Sequence, residues 1–148
     1  SFRFNSIYCS TLNGTSLAAL YADLAERFAA DDVYEPGTVV ALGGPEEITA
    51  VAEELSDSVF GVISGRAAYL MNSAAGDDAT HPAVAMTGRV PVKVTGTVNK
   101  GDRLVSAGNG IARAAGPGEA TSFNTIGRAL EIKETAGGGT ILAVVTIN

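Results

Sequence analysis

The sequence predicts a mainly β domain, a small β-barrel or β-roll built from duplicated hairpin-plus-strand units, with one N-terminal helix or extended arm. Three observations carry this. From residue 35 onward, short apolar runs are broken by Gly, Pro, Asn and Asp, the texture of short strands joined by tight turns. Two stretches about 65 residues apart repeat the same order of turn, strand and glycine. Ahead of that β-rich stretch, residues 15–30 carry a helical period. The chain thus divides into an N-terminal arm and amphipathic segment, 1–34, and a β domain, 35–148, within one compact domain overall.

Residues 1–14, "SFRFNSIYCSTLNG", set Phe2, Phe4 and Tyr8 among polar residues and end on Asn13-Gly14. They read as a short strand or an extended arm closed by a turn. In "TSLAALYADLAERFAA", Leu17, Leu20, Tyr21, Leu24 and Phe28 recur at steps of three and four. That is one apolar stripe on a helix, with Thr15 or Ser16 as N-cap. A partner surface could equally hold the stretch extended.

The strands expected beyond it are 38–42, 47–51, 59–64, 67–71, 83–86, 89–96, 103–107, 110–114, 123–131 and 140–147. Val90, Val92 and Val94 alternate with Pro91 and Lys93, which describes a half-buried strand. Pro91 lacks an N–H and places that strand at an edge or a bulge. Residues 45–55 are ambiguous, because Ile48, Val51, Ala52 and Leu55 also fit a helix.

The duplication favours the strand there. "EPGTVVALGGPEEITAV" followed by "DSVFGVIS" lies over "NKGDRLVSAGNGIARAA" followed by "FNTIGRALE". Gly37 matches Gly101, Gly43 matches Gly108, and Gly61 matches Gly127. A hairpin with a following strand, used twice, is a roll or small-barrel plan. Gly61 and Gly127 lie inside strands, where glycine marks a bulge, a corner or close backbone approach.

Composition narrows the function. Of 148 residues, 46% are hydrophobic and 18% charged, against about 25% charged in an ordinary soluble protein. So little charge covers a lone surface poorly, and burial against copies of itself relieves the shortfall. A homo-oligomer, a trimer first, is the expected state. The net charge of −6 with singly scattered arginines argues against nucleic acid. No apolar run reaches membrane-span length and the start lacks a signal-peptide pattern, so a soluble, non-membrane protein is expected. The single cysteine, Cys9, excludes an internal disulfide and reads as a small, partly buried residue.

Catalytic patterns fail on missing partners. Asp77, Asp78 and His81 in "GDDATH" are the best metal-like cluster, yet adjacent acids diverge and further ligands have no source. This loop, 73–83, is the one long enough for a role of its own. Asp31, Asp32 and Glu35, or Glu53 and Glu54, could be drawn as acid–base pairs, but such doublets usually lie solvated before turns. His81 is the only histidine, and neither Ser64 nor Ser106 sits in a nucleophile elbow. "GNGIARAAG" lacks the lysine and context of a phosphate loop. No enzyme, cofactor or metal is expected. Ser1 is the one nucleophile with a rival role, since its hydroxyl could attack a preceding carbonyl in self-processing.

In combination, "LYADLAERF…DDVYEPGTVVALGG", "VFGVISGRAAYLMNS", "GRVPVKVTGTVNKGDRLVSAGNGIARAA" and "IGRALE" resemble a β-rich module of bacteriophage virion proteins. The module is common at the C-terminal ends of tail-fibre and appendage proteins, and the likeness covers about residues 20–147. It implies a non-enzymatic structural component of a virion, in a fibre or appendage or as a head-decoration (cement) protein, with itself and other virion proteins as partners. The sequence is also similar to autoproteolytic intramolecular-chaperone domains of phage appendages, in which an "ADxAE" string precedes the β region. No catalytic residue of that group matches a position here. A glycan-binding fibre tip is the third reading and would add a host-surface glycan as partner. The residues expected at subunit interfaces are Tyr21, Leu24 and Phe28, then Tyr69 and Met71.

Overall fold

The computed structural model describes residues 3–147 and shows ten strands and no helix among them. Five strands close into a barrel: β6 (Ala83–Thr95), β8 (Ile111–Ala114), β7 (Arg103–Gly108), β9 (Gly127–Ala129) and β10 (Gly138–Thr146), the last pairing back onto β6. A wing of β4 (Val59–Ile63), β2 (Val39–Leu42) and β3 (Ile48–Ala50) extends from the first half of β6. On the same half of β6 lies β1 (Asp23–Arg27), which also pairs in parallel with β5 (Tyr69–Met71).

The duplication is a structural fact. In each copy the first strand of a hairpin is central: β2 lies between β3 and β4, and β7 between β8 and β9. The turn hydrogen bonds repeat as well. The Gly37 N–H donates to the Ile63 carbonyl at 2.8 Å, and Gly101 donates to Ala129 at 2.8 Å. The return bonds, Ile63 to Thr38 and Ala129 to Asp102, are both 2.9 Å. Each third strand then joins a long strand: β4 pairs with β6, and β9 with β10. The two units meet where β6 and β10 pair from Thr87 to Thr95.

Gly61 and Gly127 show why the third strands carry glycine. A Cβ at residue 61 would lie 2.5 Å from Val84 Cγ1 and 2.7 Å from the Ala85 carbonyl oxygen. At residue 127 it would collide with the Val144 carbonyl. Only glycine lets the neighbouring long strand approach so closely.

The apolar runs expected at 83–86 and 89–96 are one continuous strand, because β10 pairs across the gap between them. Pro91 sits inside it without costing a bond. It faces Leu142 of β10, whose N–H goes to Glu131 Oε2 and whose carbonyl accepts from Leu130. On the opposite side of β6, Arg89 N donates to Ala22 and Lys93 N to Gly37. Pro91 falls in the gap between these two partners, which makes it locally an edge position.

The helix expected over 15–30 does not form, and the extended alternative holds. Its apolar stripe is a coincidence of spacing. Ala25 is fully buried within β1, flanked by β5 and β6. A strand there satisfies backbone groups on both sides, which outweighs a marginal helical preference. The sheet therefore recruits the chain from Asp23 onward, whereas residues 3–22 contain no strand. The ambiguous 45–55 stretch is extended, as β3 and an isolated bridge from Glu54 to Ala107.

Two cores result. The larger fills the barrel and the inner wing, with Val39, Val62, Val92, Val94, Leu104 and Ile141 among its members. The smaller lies on the other face of the wing, where Val40, Ile48, Ile63 and Val84 are covered by Phe28, Ala30, Tyr34 and Phe60.

Candidate interaction surface

The arm is the least satisfied part of the molecule. Phe4, Ile7, Tyr8, Leu12, Leu17 and Leu20 are all exposed, Tyr8 at 95% and Leu17 at 93%. Cys9 is exposed too, not partly buried as the sequence suggests, because no strand carries it into the body. Ser1 and Phe2 lie outside the described residues.

The five residues singled out as interface candidates lie in three places. Leu24 and Tyr69 are register partners across β1 and β5, and Glu26 faces Met71. Tyr69 is 67% exposed at this edge. Tyr21 is anchored at the arm's root, where its hydroxyl accepts a 3.1 Å hydrogen bond from Arg66 and the guanidinium lies 5.7 Å from its ring centroid. Phe28 instead covers the protein's own smaller core, edge-on to Phe60 with ring centroids 5.4 Å apart.

A cleft of about 460 Å³ opens at the arm's root, lined by Leu20, Pro36, Arg66, Val90, Pro91 and Leu142, with Asp23 also at its wall. It occupies the place where Pro91 interrupts pairing on the outer side of β6. Asp23 is only 4% exposed, and its Oδ2 has no hydrogen-bond partner. A buried carboxylate oxygen without a donor is costly. The sequence signal for this site was Pro91 itself, although nothing in the sequence placed Asp23 beside it. A second, polar cleft of about 800 Å³ lies among Gly101, Arg103, Gly116, Thr121 and Ser122.

Of the carboxylates considered for chemistry, Asp31, Glu35, Glu54, Asp77 and Asp78 are engaged in structure. Asp77 Oδ1 accepts from the Thr80 N–H, the Ala79 N–H and the Thr80 hydroxyl. Asp78 pairs with Arg27 at 2.8 Å, and His81 Nδ1 lies 3.0 Å from the Thr80 hydroxyl. Among the described residues, no three such side chains are placed to hold a metal. Asp31 accepts from the Tyr34 hydroxyl, which in turn accepts from Ala50 N at 3.0 Å. Glu35 pairs with Lys93, and Glu54 and Glu119 both pair with Arg113.

These contacts set a pH dependence. The Tyr34 hydroxyl holds Asp31 below its usual 3.8. Thr80, through its N–H and its hydroxyl, does the same for Asp77. Lys93 lowers Glu35, and Arg113 lowers Glu119, from the usual 4.5. A carboxylate depressed in the folded state stabilises it fully above the unfolded value. That contribution is lost as pH falls through the folded value. The thermal midpoint should stay flat from about pH 7 to 5 and decline below about pH 4. Calorimetry across this range checks it, and a decline already complete by pH 5 would contradict it.

No protein-family model matches the chain, and no curated protein sequence matches it significantly. Solved structures do. The chain is similar to the C-terminal fragment of bacteriophage phi29 gene product 12, with a TM-score of 0.61 and 18% identity over 84% of this chain and 100% of the fragment. It is also similar to pre-mature bacteriophage phi29 gene product 12, with a TM-score of 0.63 and 17% identity over 93% of this chain. The chain spans 23% of that longer protein. Its fold is therefore that of the C-terminal part of a bacteriophage gene product.

Proposed function

We propose that this chain is a non-enzymatic, homo-oligomeric structural module of a bacteriophage virion, placed in a fibre or appendage. The observation that carries the reading is the fold likeness to the whole C-terminal fragment of phi29 gene product 12. That fragment ends a much longer chain, which favours a module at the tip of an extended protein over a free-standing head-decoration protein. The low charge and the unpartnered arm agree with life among copies of itself. Light scattering on the purified protein at micromolar concentration should return a trimer. A stable monomer would refute the reading.

One observation favours a second reading, the self-cleaving chaperone domain. Gene product 12 has been solved both as a pre-mature chain and as a C-terminal fragment. Intact-mass measurement on a gene product extended before Ser1 separates the two. Spontaneous cleavage at that bond, abolished by Ser1→Ala, would favour the second reading.

A further inference from the structure

We propose that residues 4–21 are an exchange arm: in the oligomer, each copy lays this segment into the cleft beside Pro91 of the next copy. The inference rests on the homo-oligomeric reading above and adds the element that holds the oligomer together.

The arm's composition rules out a solvated tail. Segments that stay unstructured are poor in large apolar residues and rich in charge. From Arg3 to Ala22, Arg3 is the only charged residue, and six large apolar side chains between Phe4 and Leu20 are exposed. Among the described residues, no backbone hydrogen bond ties residues 3–21 to the body, the first being from Arg89 to the Ala22 carbonyl. The exposed apolar surface calls for a partner.

Reach decides which body supplies it. Nineteen extended residues span on the order of 60 Å, whereas a 148-residue domain has a radius of gyration of about 15 Å. An arm leaving extended at Tyr21 is long enough to pass beyond its own body and reach a neighbour.

The cleft is suited to receive side chains, not a strand. Pro91 offers no N–H to a new ladder, and the backbone to either side of it is already bonded to Ala22 and Gly37. What remains is a largely apolar recess among Pro36, Val90, Pro91 and Leu142, matched to the apolar side chains that the arm exposes from Phe4 to Leu20. Because the outgoing arm borders the same recess through Leu20, every copy gives and receives at one place. Head-to-tail contacts of this kind form a closed ring when the rotation between successive copies closes, and three copies related by a threefold axis are one such ring.

Cys9 lies in the arm and is the only cysteine, so a benzophenone maleimide can be placed there on the intact protein. Irradiation should yield covalent two-chain species whose linked peptides contain residues 64–71 or 89–92. Linkage within a single chain, or to other surfaces of an intact oligomer, would overturn the exchange arm while leaving the oligomer standing. A monomer at micromolar concentration would overturn both. As a second measurement, the double variant Leu12→Ser/Leu17→Ser should raise the dissociation concentration at least tenfold. Leu12 and Leu17 are 78% and 93% exposed, so the β circular-dichroism signature should be unchanged. An oligomer as tight as the parent would refute the proposal.

Discussion

Gly127→Ala should destabilise the protein by about 3 kcal/mol, at the upper end of what overpacking a tight site costs. The added methyl collides with the Val144 carbonyl oxygen and sits 3.0 Å from Val144 C and Val145 Cα. Backbone cannot rotate out of the way as a side chain can. Relief requires β9 and β10 to part, and they are consecutive staves of the closed barrel. Gly61→Ala should cost less, because one of its nearest neighbours is the Val84 side chain and the wing is open at β3. Chemical denaturation of both variants tests the order. Equal and small effects would mean that the barrel has slack at β9.

Leu104→Ala should lower stability by about 3 kcal/mol, within the 2–5 kcal/mol range for emptying a buried leucine site. Leu104 is fully buried in β7, paired with Ala114 on one side and Gly127 on the other. The valines around it are stiff at χ1 and held by strands in a closed ring, so the cavity should collapse poorly. For a domain of this length the thermal midpoint should fall by roughly 10 °C. A drop of only a few degrees would show that the barrel interior repacks. Gly127 and Leu104 are register partners, so the double variant should deviate from additivity.

The strands were legible because their cause is local. Alternation, β-branched runs and Gly-bearing turns placed nine of the ten strands within a few residues, and the repeat at a spacing of about 65 placed both hairpins. Strand 123–131 shrinks to Gly127–Ala129 because Asn124 spends its side chain on the loop, accepting from Thr121 N and donating to the Glu119 carbonyl. Of the candidate surface, the sequence disclosed Tyr21, Tyr69 and the anomaly of Pro91. Their neighbourhood was not legible, since Tyr21, Arg66 and Pro91 are brought together only when β1 settles against β6.

The amino-acid sequence by itself determined the mainly β class, the internal duplication, the glycines needed for close strand approach and the low share of charge. Tertiary structure alone decided that "YADLAERF" becomes a strand, that residues 83–95 run as one long strand, and that the arm before it is left bare. The reason is physical. Propensity and periodicity act over a few residues, but a sheet edge at β6 and β5 offers backbone partners from 45 to 65 positions away, and those hydrogen bonds outweigh a local helical stripe.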